Sequence, residues 1–130
     1  MAHILIVDDD DGDIFREAVQ ELQPSVNCIL ARSCQEALSD LLVSPSPTAA
    51  LIFMDINMRG IDGLQCIGEI KKNRSFQDIP IVIYTGSNLR NDRTKAEATG
   101  AAYYVEKPNS FTELYKTLQQ ILEKERILQK

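Results

Sequence analysis

The sequence predicts an α/β protein in which a doubly wound, five-stranded parallel sheet is covered by five helices. Five short apolar runs alternate along the chain with five longer stretches in which apolar residues recur at three- and four-residue steps. The short runs are almost entirely apolar, as expected for strands that a parallel sheet buries on both faces. The strands are predicted at residues 3–7, 26–30, 50–54, 79–84 and 102–105.

The predicted helices lie between these strands and begin or end at recognisable signals. Pro24 stops the periodic pattern of the first helix. Ser33 and Glu36 have the spacing of a capping box at the start of the second, and Gly100 is suited to a left-handed cap at the end of the fourth. The helices are predicted at residues 14–22, 33–43, beyond 63, at 88–99 and at 110–126.

Composition limits the class of protein. A chain of 130 residues with 44% hydrophobic side chains can bury one full core, so a single domain is expected over residues 1–130. The net charge of −5, without a long run of Lys or Arg, argues against nucleic-acid binding. No stretch approaches the roughly 18 apolar residues of a membrane span, and the N-terminal run leads directly into Asp8, unlike a signal peptide.

The cysteines and the histidine exclude further chemistry. Cys28, Cys34 and Cys66 are odd in number and widely spaced, so we expect reduced thiols in a cytoplasmic protein. His3 is the only histidine, which excludes zinc hydrolases and Ser-His-Asp catalysis.

Polar residues follow four of the predicted strands. Asp8 and Asp9 follow the first strand, Asp55 the third, Thr85 the fourth and Lys107 the fifth. Because ligands of doubly wound sheets bind outside the carboxyl ends of the strands, we expect these side chains to share one site. Converging carboxylates repel one another, and a hard cation with oxygen ligands relieves the repulsion, which favours Mg²⁺. With a lysine and a hydroxyl beside it, such a pocket suits a phosphoryl group and a carboxylate nucleophile.

Each of these residues also has an ordinary structural interpretation. Asp8 and Asp9 alone could equally be helix caps, Thr85 alone a strand-end cap, and Lys107 alone a surface charge. Asp55 is harder to explain in this way, because a buried carboxylate without a partner is costly. Three neighbouring acids are predicted to be solvated residues at a helix N-terminus: Asp10, Asp11 and Asp13.

These segments resemble the receiver domain of two-component response regulators, and the resemblance covers residues 3–125. The sequence ILIVDDD at 4–10 resembles the acidic strand of the family. MDINM at 54–58, with Asp62-Gly63, resembles its phosphoacceptor loop, although Arg59 stands where most members have proline. Lys107-Pro108 resembles its lysine-proline turn, whose peptide bond is usually cis.

The resemblance implies a flavodoxin-like strand order, 2-1-3-4-5, and a specific metal site. Asp55 is implied to be the phosphoacceptor. Asp9, Asp55 and the backbone carbonyl of Asn57 are implied to bind Mg²⁺ directly, with Asp8 contributing through water.

The resemblance also implies a switch. Thr85 would contact the phosphoryl group, Lys107 would pair with it, and Tyr104 would be the aromatic residue that rotates on activation. The face formed by the fourth helix, the fifth strand and the fifth helix would then change shape and be recognised by protein partners.

The implied function is a switch in a two-component phosphorelay. Asp55 would accept a phosphoryl group from a phosphohistidine of a sensor histidine kinase or a histidine phosphotransfer protein. The chain would catalyse only its own phosphorylation and dephosphorylation, and would act without an output domain, by binding a downstream protein or by relaying the phosphate. Segments 10–13 and 75–80 look similar to stand-alone receivers of bacterial phytochromes.

Two other classes of protein were weighed. A pseudo-receiver would have the fold without phosphorylation, but the intact set of five site residues argues against it: Asp8, Asp9, Asp55, Thr85 and Lys107. An acid-type phosphatase or nucleotide-binding enzyme is disfavoured because an Asp-x-Asp-x-Thr motif, a dinucleotide fingerprint and a P-loop are all missing.

The end of the fifth helix leaves the oligomeric state open. Ile127 and Leu128 are interpreted as a solvated helix end, with packing on the domain or a homodimer contact as alternatives.

Overall fold

Five parallel strands form the centre of the protein, in the order β2-β1-β3-β4-β5. The predicted doubly wound sheet and its strand order are confirmed. The structure is a computed structural model that describes residues 3–10, 12–43, 49–56, 60, 62–85, 98–107 and 110–127, and only the backbone of Val43 and Thr85. The strands are β1 His3–Val7, β2 Asn27–Ala31, β3 Ala49–Asp55, β4 Ile81–Thr85 and β5 Tyr103–Glu106.

Helices cover both faces of this sheet. Within the described residues they are α1 Gly12–Leu22, α2 Cys34–Val43, α3 Gly63–Lys71 and α4 Phe111–Lys124, with a 3-10 turn at Arg74–Phe76. The fifth predicted helix is therefore α4, and most of the helix predicted at 88–99 lies outside the described residues. Gly100 does have the left-handed conformation expected of it, with φ +87°. No helix in the described part of the chain is long and apolar enough to cross a bilayer.

The core consists of two layers, one on each side of the sheet. Leu5 and Val7 of β1 face α2 and α3, whereas Ile4 and Ile6 face α1 and α4. All five residues of β1 are buried. The uninterrupted apolar run of this strand thus reflects burial on both faces.

The second helix begins at a side-chain cap close to the predicted one. The Ser33 hydroxyl accepts a hydrogen bond from the backbone N–H of Glu36, at 3.1 Å. The Glu36 carboxylate reaches one residue further back than in a standard capping box, and accepts from the N–H of Arg32 at 3.2 Å.

The third helix is fixed closely to the end of β3. Asp62 and Gln65 form a complete capping box at its start. The Gly63 N–H donates to the carbonyl of Ile56 at 3.0 Å. A Cβ atom on Gly63 would lie 2.3 Å from the carbonyl oxygen of Asp55, so only glycine allows this approach.

The last helix ends in a turn that returns the chain to the core. Arg126 has a left-handed φ of 60°, and the Ile127 N–H donates to the carbonyl of Leu122 at 2.9 Å. Ile127 packs partly buried against the core layer under α1 and α4. Ile127 therefore packs on the domain, which was one of the alternatives to a solvated helix end. Leu128 lies outside the described residues.

The cysteines correct one expectation. Cys34 and Cys66 form a disulfide, with their Cα atoms 5.5 Å apart, so the prediction of three reduced thiols was wrong for this pair. The sequence separation of 32 gave no sign of the pairing, which arises because α2 and α3 lie side by side on one face of the sheet. Cys28 is free and buried, and burial raises its pKa to about 11, against an opposing effect of Arg16.

The packing of Gly63 against β3 can be tested by adding one methyl group. Gly63→Ala should lower the free energy of unfolding by about 1–3 kcal/mol, because the backbone it meets cannot move aside cheaply. Gly68→Ala on the same helix is the matched control: nothing lies within 4 Å of its added Cβ, and it should stabilise by roughly 0.5–1 kcal/mol. Urea unfolding measures both, and equal effects would contradict the close packing at Gly63.

Candidate functional site

The register of the sheet brings the acidic residues to one place. Val7 of β1 pairs with Met54 of β3, and Asp55 of β3 pairs with Tyr84 of β4. Because the strands are parallel, their carboxyl ends meet at one edge of the sheet, and Asp8 leaves β1 beside Asp55. This edge is where the sequence predicted the site.

Three carboxylates lie together at this edge. One oxygen from each of Asp8, Asp9 and Asp55 lies within 4.8 Å of the other two. Asp8 is 0% exposed and Asp55 is 3% exposed, whereas Asp9 is half-buried. Burial of ionised carboxylates side by side is unfavourable without positive charge and hydrogen-bond donors nearby. The surroundings of the cluster therefore decide whether it can exist.

Lys107 supplies one positive charge to the cluster. It follows β5, and its Nζ lies 3.4 Å from Asp55 Oδ2 and 3.5 Å from Asp8 Oδ2. The same ammonium lies 5.1 Å from the centre of the Tyr84 ring, a cation–π distance. Three carboxylates and one ammonium leave two formal negative charges, which one divalent cation would balance.

Two donors fix the orientation of the Asp8 carboxylate. Its Oδ1 accepts from the backbone N–H of Asp10 at 2.8 Å, and its Oδ2 accepts from the Tyr84 hydroxyl at 2.7 Å. The Asp8 N–H in turn donates to the carbonyl of Ala31 at 2.9 Å. Asp8 is thus held by β2, by β4 and by its own loop.

The donor set fits a hard divalent cation. All the clustered ligand atoms are carboxylate oxygens, the type that Mg²⁺, Ca²⁺ and Mn²⁺ prefer, and no thiol or imidazole belongs to the group. Asp9 is the most accessible member, which leaves one side open for water or a substrate oxygen.

Of the three acids predicted to be solvated, Asp10 and Asp13 are exposed. Asp13 lies in the first turn of α1 and pairs with Arg16 at 2.9 Å and with Arg32 at 3.8 Å. Asp10 is exposed, and Asp11 lies outside the described residues.

The structure describes the remaining predicted residues only in part. Thr85 ends β4 with its backbone paired to Glu106, and nothing is described of its side chain. Tyr104 lies half-buried on β5 and packs against the core layer under α2 and α3. Asn57, and Pro108 with the predicted cis peptide bond, lie outside the described residues, as do Gly86 and Ser87.

Tyr84 contacts the acidic cluster and was not predicted from the sequence. Its ring stacks on Phe15 at 4.0 Å and meets Phe53 edge-on, so that it is fully buried while its hydroxyl reaches Asp8. The signal was present, because a tyrosine in an otherwise aliphatic buried strand needs a partner for its hydroxyl. The partner, however, is 76 residues away in the sequence.

Clustered carboxylates beside a lysine at the carboxyl edge of a doubly wound parallel sheet make this α/β protein a candidate for binding a divalent cation and a phosphoryl group. A sequence model of the response regulator receiver domain matches residues 4–119, most of the chain. The chain therefore belongs to the response regulator receiver family of two-component signalling, as its sequence indicated.

Individual relatives agree with this assignment. Response regulator Rre1 of Synechocystis sp. is 32% identical over 122 residues, covering 92% of this chain and 51% of Rre1, so the chain spans about half of that relative. The phosphorylated cyanobacterial phytochrome response regulator RcpA shares the fold, with TM-score 0.83, 23% identity, and coverage of 94% of this chain and 91% of that one. Mn²⁺-bound response regulator Rcp1 gives TM-score 0.78 and 26% identity, covering 95% and 93%.

The bond from Tyr84 to Asp8 can be tested by removing one oxygen. Tyr84→Phe leaves the buried carboxylate with one donor fewer and should lower the free energy of unfolding by about 1–3 kcal/mol. Tyr115→Phe is the matched control on α4, where the half-buried ring contacts Phe111, and should change stability by less than about 0.5 kcal/mol. Urea unfolding without divalent cations measures both. An unchanged midpoint for Tyr84→Phe would show that this bond contributes nothing.

Proposed function

We propose that this receiver is a phosphorylation-activated switch whose acceptor is Asp55. One observation carries the proposal: Asp8, Asp9 and Asp55 gather their oxygens within 4.8 Å of one another, with the Lys107 ammonium beside two of them. The donor is the phosphohistidine of a sensor histidine kinase or of a histidine phosphotransfer protein. The partner's identity belongs to the proposal, as does a cytoplasmic location, where ATP-dependent kinases act.

The metal belongs to the same proposal. In this proposal Asp9, Asp55 and the backbone carbonyl of Asn57 would hold Mg²⁺, and Asp8 would contribute through water. The two donors that already occupy both oxygens of Asp8 support its indirect role. When bound, Mg²⁺ supplies positive charge opposite the oxygens of the incoming phosphoryl group. The Mn²⁺-bound relative Rcp1 supports a divalent cation at this kind of site.

The transfer itself needs little from the protein beyond position and charge. A carboxylate oxygen of Asp55 forms a bond to phosphorus as the bond from phosphorus to the donor imidazole nitrogen breaks, and the imidazole then takes up a proton from solvent. Asp55 is held in line by its place at the end of β3 and by the close contact of α3 behind its carbonyl. Lys107 moves from its partners in the cluster to pair with a phosphoryl oxygen.

The output follows from the added charge at Asp55. Thr85 turns toward the phosphoryl group and Tyr104 takes up the space released, which changes the face formed by the helix predicted at 88–99, β5 and α4. Tyr104 pairs with Ile83, two residues before Thr85, so the two switch positions lie on neighbouring strands. On α4, the 46% exposed Phe111 offers an apolar contact for a downstream protein. Recognition of a target and onward relay of the phosphate both remain within this proposal.

In this proposal, residues 1–130 form one receiver domain whose catalytic activity is limited to its own phosphorylation state. It acts on itself alone, through phosphorylation and dephosphorylation, and signals by protein contact without nucleic acid or membrane insertion. A homodimer in the active state is an alternative to the monomer. A pseudo-receiver that never accepts phosphate is the second candidate function, and the intact cluster argues against it.

The acceptor is tested by replacing its carboxylate with an amide. With millimolar Mg²⁺ and acetyl phosphate, Asp55→Asn should lose labelling by about a hundredfold or more, because an amide is a far poorer nucleophile. Asp78→Asn, an exposed position away from the site, is the control and should label as the wild type does. Phosphate incorporation is read by intact mass, and binding of beryllofluoride by ¹⁹F NMR. Equal labelling of both variants would remove Asp55 from this role, whereas no labelling of the wild type would favour the pseudo-receiver.

Replacing Lys107 should separate phosphate acceptance at Asp55 from the structural response. Lys107→Ala should still take up phosphate in part, because the carboxylate nucleophile is intact. Its response across β5 and α4 should fall about fivefold or more, since the ammonium that couples the phosphoryl group to β5 is gone. Hydrogen exchange of residues 103–106 and 111–124, with and without beryllofluoride, measures that response. Lys116→Ala, exposed on α4, serves as the control, and a full response in Lys107→Ala would contradict the coupling.

A further inference from the structure

The disulfide between Cys34 and Cys66 joins α2 to α3, and neither cysteine takes part in the proposed phosphoryl transfer. Cys34 is the first residue of α2, and Cys66 lies in the first turn of α3. Their Cα atoms are 5.5 Å apart and both side chains are buried in the core layer under α2 and α3. Neither residue belongs to the acidic cluster, so the pair is a separate chemical feature.

Each half of this cross-link is connected to one acidic strand end. On the α2 side, Ala31 lies three residues before Cys34, and its carbonyl accepts the N–H of Asp8 at 2.9 Å.

On the α3 side, Gly63 lies three residues before Cys66, donates to the carbonyl of Ile56 and packs directly against the carbonyl of Asp55. The disulfide therefore ties together the two segments whose backbones contact Asp8 and Asp55. Because β1 and β3 stay paired through Val7 and Met54, loss of the cross-link would leave the strands in place but loosen the contacts that position the two carboxylates.

We propose that Cys34 and Cys66 are a reversible oxidation site that sets the affinity of the acidic cluster for its cation. The coupling to signalling rests on the function proposed above, whereas the oxidation itself and its effect on the cation do not. The oxidised protein has the tighter site, and the dithiol protein the looser one.

The chemistry is thiol–disulfide exchange with a low-molecular-weight disulfide. One cysteine loses its proton and attacks the external disulfide, which releases one small thiol and leaves a mixed disulfide on the protein. The second cysteine, as thiolate, attacks the protein sulfur of that mixed disulfide, and a second small thiol leaves. In total, two protein thiols are oxidised to one disulfide and one external disulfide is reduced to two thiols.

The position of Cys34 favours it as the attacking residue. It is the first residue of α2, directly after the Ser33 cap, and the positive end of the helix dipole attracts negative charge. Because both sulfurs are buried, exchange proceeds when the first turn of α2 opens, and it is correspondingly slow. Cys28 is the natural comparison, since burial raises its pKa to about 11 and keeps it a thiol at neutral pH.

The experiment equilibrates the full chain in mixtures of oxidised and reduced glutathione. Alkylation after denaturation should modify one cysteine in the oxidised protein and all 3 in the reduced protein. Calorimetric titration with Mg²⁺ alone should then give about fivefold weaker binding in the reduced protein. Cys34→Ser and Cys66→Ser should bind as the reduced wild type does in every mixture, while Cys28→Ser should keep the full redox dependence.

Each result tests a different part of the proposal. Three modified cysteines under every condition would overturn the oxidation site, and equal Mg²⁺ affinity in both states would overturn the coupling. If one serine variant does not fold, as judged by circular dichroism, the reduced and oxidised wild type still provide the comparison. A redox-dependent Mg²⁺ affinity without any beryllofluoride binding would support the coupling and overturn only the phosphoryl function.

Discussion

Repulsion among the carboxylates at the carboxyl edge of the sheet is the constraint on which the rest of this structure depends. Asp8 and Asp55 are buried, and such groups persist only where donors and positive charge compensate them. Lys107 provides charge from β5, and Tyr84 and the N–H of Asp10 provide hydrogen bonds. Without a cation, the negative charge of the three carboxylates exceeds the positive charge of Lys107. The folded protein therefore keeps an edge that attracts positively charged ligands.

The fold tolerates this cluster because its apolar core and its charged edge are separate. The strands are apolar along almost their whole length, and charged residues begin where the strands end. Two independent packing layers hold the sheet from opposite sides. The site can therefore carry unfavourable electrostatics at one rim, because the stabilising burial of apolar surface lies elsewhere. Gly63 marks the place where the two requirements meet, with the α3 backbone against Asp55, a member of the acidic cluster.

Sequence patterns predicted what depends on local periodicity and on the ends of strands. The apolar run of β1, the cap at Ser33 and the strand order all followed from such patterns or from the family resemblance. What they missed depends on contacts between distant elements. The bond from Tyr84 to Asp8 and the disulfide from Cys34 to Cys66 arise only when the sheet and the helix pair have assembled, so no spacing along the chain announces them.

The place of Tyr84 has an optical consequence. The chain has no tryptophan and 4 tyrosines, so its near-ultraviolet absorbance and emission come almost entirely from tyrosine rings. The Tyr84 hydroxyl donates a hydrogen bond to the Asp8 carboxylate of the acidic edge, and its ring lies in the aromatic stack with Phe15. A change of charge at the acidic edge would therefore alter the surroundings of the Tyr84 ring. The absorbance and emission of the native protein would report that change without an added probe.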